Sequence, residues 1–189
     1  MSYIDEIIIW KREEEKKRQH TTLDGGVYID GKMIVFERRK VCDKFSIMLP
    51  SIWKRIPDEL AKIKYPSEFR PQEILTSSDL SSNIGFTVFA QKMQKSTQDI
   101  AEQMQRVIHR AYPDYQIYSG GQLEKNEGTW FAFRSHALDS DLYNIMLVVK
   151  IHDMSIQGVF NCPYLAWPGW KKIVLQMWET IEEEKGGLG

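Results

Sequence analysis

Apolar side chains recur along this chain with two periods, and the switch between them marks its elements. Near the C-terminus Trp170, Ile173, Val174, Met177, Trp178 and Ile181 stand at i, i+3, i+4, i+7, i+8 and i+11, the spacing of one helix face. Pro168 sits just ahead of them, where a helix start does not need its missing N–H. Acidic residues 182–184 follow and oppose the helix dipole, so fraying is expected after Ile181. A second helix is predicted over 96–112. Ser96 caps it, Asp99 completes a capping box and Pro113 stops it. Ile100, Met104, Val107, Ile108 and Ala111 form its apolar stripe, which reads as core packing and also has the form of a partner groove.

Between these helices the period falls to two. Strands are predicted at 115–123, 129–138, 142–151 and 155–162, with turns at Asn126-Glu127-Gly128, Asp139-Ser140-Asp141 and His152-Asp153. Connections this short make neighbouring strands antiparallel. In the third strand Tyr143, Ile145, Leu147, Val149 and Ile151 take one face, and Met146 and Val148 the other. A strand apolar on both faces needs cover on both sides, so this sheet is expected to be a middle layer.

Upstream the pattern is more broken. Asp30-Gly31 between Val27-Tyr28-Ile29 and residues 32–41 signals a two-residue hairpin, because both turn positions need positive φ. Residues 45–49 predict a strand closed by Pro50, and 51–53 a turn. Prolines 57, 66 and 71 punctuate an irregular stretch with a short strand near Ile63. Strands at 73–77 and 85–90 flank a polar loop. At the start, residues 2–19 predict a helix capped by Ser2 or Asp5, with Ile4, Ile7 and Ile8 on one face. Its charged half carries the pairs Glu13–Lys17 and Glu14–Arg18. It reads as a solvated arm with an apolar root, or as an element that docks on a surface. The chain divides into an arm over 1–22, one domain over 23–184 and a flexible tail over 185–189.

Composition narrows this picture. The 189 residues are 42% hydrophobic, with 25 basic and 26 acidic side chains and a net charge of -1. That supports one domain with a real core and excludes global disorder. A balanced charge gives no field to gather nucleic acid. The run Ile7-Ile8-Ile9-Trp10 is too short for a secretory signal, and no run reaches the roughly 18 apolar residues of a membrane span. A cytoplasmic protein with no span is expected.

Three stretches carry a resemblance to a known group. Residues 44–53, Lys-Phe-Ser-Ile-Met-Leu-Pro-Ser-Ile-Trp, look like an early strand running into a Pro-x-x-Trp turn. Residues 96–112 match a central helix. Phe160-Asn161-Cys162-Pro163 followed by 170–181 match a last strand and closing helix. Over residues 27–183 the chain resembles the Mog1/PsbP/DcrB group. The resemblance implies an α+β fold: an α/β/α sandwich around an antiparallel sheet of six to seven strands. Roles in that group are diverse and mostly non-enzymatic, including a partner of a small GTPase, a photosystem subunit and chaperones for secreted effectors. Its lipoprotein branch carries an export signal, a feature not read here.

Candidate chemistry is sparse. Cys42 and Cys162 form no CxxC pair and read as buried, inert thiols. His20, His109, His136 and His152 lack ligand spacing, so no metal is expected. Gly120-Gly121 is not followed by Lys-Ser/Thr, so no phosphate loop is present. No catalytic residue, no cofactor and no enzymatic activity are expected. The residues singled out are aromatic and aliphatic: Tyr164 and Trp167 ahead of the last helix, and Ile4, Ile8 and Trp10 on the arm. Exposed Trp and Tyr are enriched in interface hot spots. The expected function is a non-catalytic protein-binding module: an adaptor, chaperone or immunity-like protein. Its partner would be another protein, a secreted effector or a second copy of the chain. The alternative is a small-molecule binder or enzyme with a pocket between sheet and helix.

Overall fold

The computed structural model describes residues 3–91, 93–137 and 139–184. The Ser2 cap, Leu138 at the end of a predicted strand and the 185–189 tail lie outside them. The chain opens with α1 (Tyr3–Gln19), β1 (Thr21–Thr22), β2 (Gly26–Ile29), β3 (Lys32–Ile34), β4 (Phe36–Val41), β5 (Phe45–Pro50) and β6 (Lys54–Arg55). Next come α2 (Asp58–Lys64), β7 (Glu73–Thr76), β8 (Asn83–Phe89) and α3 (Thr97–Ala111). The meander follows as β9 (Gln116–Gln122), β10 (Glu127–His136), β11 (Asp141–Ile151) and β12 (Met154–Pro163), then α4 (Trp167–Glu179) and β13 (Glu182–Glu183).

The large sheet has seven strands in the order β6-β7-β8-β12-β11-β10-β9, and every pair in it is antiparallel. Two three-stranded sheets, β1-β2-β3 and β13-β5-β4, accompany it. β1 pairs Thr21 with Val27, so sheet structure begins inside the segment read as arm. The β2–β3 hairpin turns at Asp30 and Gly31, both with positive φ (47° and 78°), as the Asp-Gly signal requires.

β11 shows why the sheet is a middle layer. Tyr143, Ile145, Leu147 and Val149 face one core with Trp170, Ile173, Val174, Met177 and Trp178 of α4 and Phe45, Ile47 and Leu49 of β5. On the opposite face Phe131, Phe133 and Ala101 pack with Met104, Ile108 and Met146 under α3. Val148 is fully buried and Met146 half-buried. The Pro-x-x-Trp turn has a packing role. Trp53 N–H donates to the Pro50 carbonyl, which drops the indole against Phe160 (6.3 Å) and Trp170 (5.4 Å).

Two expectations are corrected. Ile63 lies in α2, not in a strand. Asp58 and Glu59 open that helix and Lys62 and Lys64 close it, charges that suit its dipole, while Ala61 packs with Ile56 and Ile74. The chain after α4 does not fray: Glu182 and Glu183 pair with Ser46 and Phe45 of β5. The acidic end is held from outside the helix. Glu179 accepts from the backbone N–H groups of Glu124 (2.6 Å) and Lys125 (2.9 Å), and Asn126 Nδ2 donates to the Ile181 carbonyl (3.1 Å).

Candidate functional site

Tyr164 and Trp167 occupy the corner where β12 passes through a single 3-10 turn, Tyr164–Ala166, into α4. Both are half-buried, and their rings are engaged within the chain. The Tyr164 hydroxyl lies 3.1 Å from that of Tyr118, and the Arg134 guanidinium stacks 4.2 Å over the Tyr164 ring. Trp167 stacks on Tyr143 at 5.2 Å, and Tyr143 approaches Tyr118 at 6.0 Å. Lys171 Nζ stands 5.8 Å from Trp167 and 5.4 Å from Trp130. The result is an aromatic and cationic ladder across β9, β10 and β11. Burial and the Tyr164 hydroxyl push the Tyr118 phenol up to about 12, so it stays a neutral donor. Leu165, at the tip of the turn, is 92% exposed. The sequence singled out its two neighbours and missed it. An isolated Leu in a polar-free loop carries no periodic signal.

The arm residues stand elsewhere. Ile4 (67% exposed), Ile8 and Trp10 (61%) lie in the first half of α1, where Ile7 and Ile9 are also open to solvent. The second half meets the domain. Lys16 sits 5.7 Å over the Tyr28 ring, and His20 Nδ1 lies 3.2 Å from the Gly25 carbonyl oxygen. The described contacts bring Tyr164 and Trp167 into one cluster and leave Ile4, Ile8 and Trp10 as a separate patch.

A third feature is concave. A cavity of about 440 Å3 lies between the β2–β3 hairpin, the 77–82 loop and the start of α4. Ile29, Ile34, Ile52 and Trp170 line its apolar side, and Asp30, Lys32 and Asp79 its polar side. Asp79 accepts from Ser77 Oγ (2.6 Å) and from the Ser81 N–H and Oγ, which hold its carboxyl down at about 2.

The reactive side chains are restrained. Burial pushes the Cys162 thiol up to about 12. Burial, with the Glu73 carboxylate next, pushes Cys42 up to about 11. Only the thiolate attacks electrophiles, so both should resist iodoacetamide at pH 8 in the folded protein and react fully once it is unfolded. Glu73→Gln should speed Cys42 labelling selectively; equal, rapid labelling of both native thiols would contradict this assignment. His136 Nδ1 lies 2.7 Å from Asp141 Oδ1, and Arg134 Nε donates to Asp141 Oδ2 at 2.7 Å. Those partners hold the Asp141 carboxyl below its ordinary range, His136 contributing most. A histidine held on a carboxylate has the form of a base and its orienting partner, which a hydrolytic triad completes with a nucleophile. Among the described residues no hydroxyl or thiol hydrogen-bonds His136. Nor, among them, does any group of three or more His, Cys, Asp or Glu side chains have metal-binding geometry. No helix of the described residues is long and apolar enough to cross a membrane.

The order of strands and helices, with α3 on one face and α4 on the other, is the Mog1/PsbP/DcrB-like fold. PsbP (CyanoP) from Synechocystis sp. PCC 6803 superposes with a TM-score of 0.58 at 9% identity, over 79% of this chain and 92% of that one. LpqN of Mycobacterium tuberculosis, involved in cell envelope biogenesis, gives 0.51 at 11% identity, over 88% of this chain and 99% of that one. Likeness at such identity shows the fold alone. No protein-family model matches the chain, and no curated protein matches it.

Proposed function

We propose that the chain is a non-catalytic protein-binding module, an adaptor, chaperone or immunity-like protein, with α1 as its contact element. One observation carries the reading: five large apolar side chains, Ile4, Ile7, Ile8, Ile9 and Trp10, lie exposed on consecutive turns of a helix whose Lys16, near the other end, packs on Tyr28 of the domain. A contiguous exposed apolar patch marks an interaction surface. α1 carries five acidic and five basic side chains, so its charge balance favours a protein surface over an anionic membrane.

Removing residues 1–19 tests this. The expected outcome is a melting temperature close to that of the intact chain, with loss of the contacts the intact chain makes in sedimentation or affinity capture. A large fall in melting temperature would show that α1 belongs to its own domain's core and would overturn the reading. A second reading rests on the 440 Å3 cavity, which has the mixed polar and apolar lining of a small-molecule site. Saturable stabilisation by a small amphiphile, abolished by Trp170→Ala or Asp79→Asn, would favour it.

A further inference from the structure

The face of α3 read as core packing is only half used. Thr97 and Ala101 are the buried residues of α3 and point at the sheet, where Thr97 Oγ1 lies 2.9 Å from Thr129 Oγ1. The apolar stripe is shared: Met104 and Ile108 turn one side to Phe131 and Phe133, and the other side of the stripe, with Val107, stays open. Ile100, Met104, Val107 and Ile108 therefore form one wall of an open groove of about 330 Å3, with Met146 and Gln157 of the sheet as its floor. Val107 is 59% exposed. We infer that this groove receives the N-terminal helix of a second copy of the chain, reciprocally and antiparallel, to make a dimer; the inference rests on the reading of α1 as the contact element.

Three observations select that occupant. The first is spacing. Ile4, Ile7 and Ile8 stand at i, i+3 and i+4, and the groove wall at i, i+4, i+7 and i+8, so two helical ridges of matching pitch can interdigitate. The second is charge order. α1 is acidic beside its first isoleucine (Asp5, Glu6) and basic directly after Trp10 (Lys11, Arg12); α3 runs the same way, from Asp99 to His109 and Arg110. Antiparallel docking sets opposite signs side by side, and parallel docking sets like signs together. The third is reach. The root of α1 lies on the α4 side of the sheet, where Gln176 Nε2 donates to the Thr21 carbonyl and Gly169 abuts Ile29. His20 and the Lys16–Tyr28 contact hold that root, with a single residue between helix and strand. The groove opens on the other face. A helix fixed this way projects from its own domain and can fill a neighbour's groove but not its own. Exchanging identical helices closes a two-fold assembly, in which each copy gives one helix and receives one.

Sedimentation of the full chain over a concentration series tests this, beside two full-length variants, Ile8→Glu on the helix and Val107→Glu in the groove. Both positions are exposed in the monomer, so unchanged circular dichroism and melting are the folding controls. The intact chain should dimerise. Each variant should weaken the dimer by about tenfold or more, as truncating a central contact does. Mixing the two should restore a mixed dimer, because one copy keeps an intact groove and the other an intact helix. A monomeric intact chain, or a dimer unaffected by either variant, would overturn the inference. If the intact chain is monomeric and Ile8→Glu releases a different captured protein, the second copy falls while α1 stands as a contact element. If Ile8→Glu changes neither, both fall.

Discussion

Trp178→Ala should lower stability by roughly 3–5 kcal/mol, the cost of a large cavity in a close-packed core. Trp178 is fully buried on α4, in one core with Phe86 of β8 and Leu147 of β11. For a chain of this size each kcal/mol moves the melting temperature by about 2–4 °C, so a loss of roughly 6–20 °C is expected. The indole also carries a cost. Among the described residues its Nε1 is a buried polar side-chain atom with no hydrogen-bond partner. A buried donor left unpaired costs about 1–3 kcal/mol. Trp178→Phe removes the orphan N–H and keeps most of the apolar volume, so it should cost less than half as much as the alanine. Chemical denaturation of the three proteins measures both differences; a melting curve unchanged by the alanine would mean that α4 does not pack on the sheet.

Gly120→Ala should be the most damaging glycine-to-alanine change among the described residues. A Cβ built at Gly120 would collide with the Trp130 carbonyl oxygen and stand 2.9 Å from the Phe131 Cα. Both are backbone atoms, so no rotamer relieves the clash. β9 meets β10 here across a register shift between Trp130 and Ala132. Either the bulge rearranges or β9 separates, at a cost of about 3 kcal/mol or more, the upper end of overpacking changes. The Tyr118–Tyr164 contact should loosen with it, since β9 carries Tyr118. Gly25→Ala is the control, because its Cβ would meet only Thr22 Oγ1 at an ordinary 3.6 Å. Comparable losses from both substitutions would show that the β9–β10 approach is not the cause.

Much of the fold was legible in local pattern. The stripe from Trp170 to Trp178, the period-two strands, the Ser96–Asp99 capping box and the Asp30-Gly31 hairpin all formed as expected, while Ile181 lies two residues past the end of α4. In each case the signal and its physical cause lie within a few residues of each other. A capping side chain reaches its own helix's N–H groups, and an Asp-Gly turn sets its own φ. The two-sided β11 carried the layer order because burial on both faces is a property of that strand alone.

Where sequence and structure part, the cause lies far along the chain. Residues 182–184 look like a poor helix end, and they are ordered because β5 offers an edge and the β9–β10 turn offers two backbone N–H groups to Glu179. Ile63 gives no helical signal in the sequence, because a seven-residue helix with a single buried Ala has almost no period. Tyr164 and Trp167 stood out as an aromatic pair, but only folding brings Tyr118, Arg134 and Tyr143 to their rings and leaves Leu165 at the tip. The stripe on α3 is evident from residues 100–111 alone. How much of it meets the sheet depends on how the helix is rotated over β10 and β11, and that angle is set by Thr97, Ala101 and the strands beneath them. Sequence by itself therefore determined which residues are apolar, in what period, and where elements begin. Tertiary packing decided which of those apolar faces stay open to a partner, because exposure belongs to the surface opposite a side chain and not to the side chain.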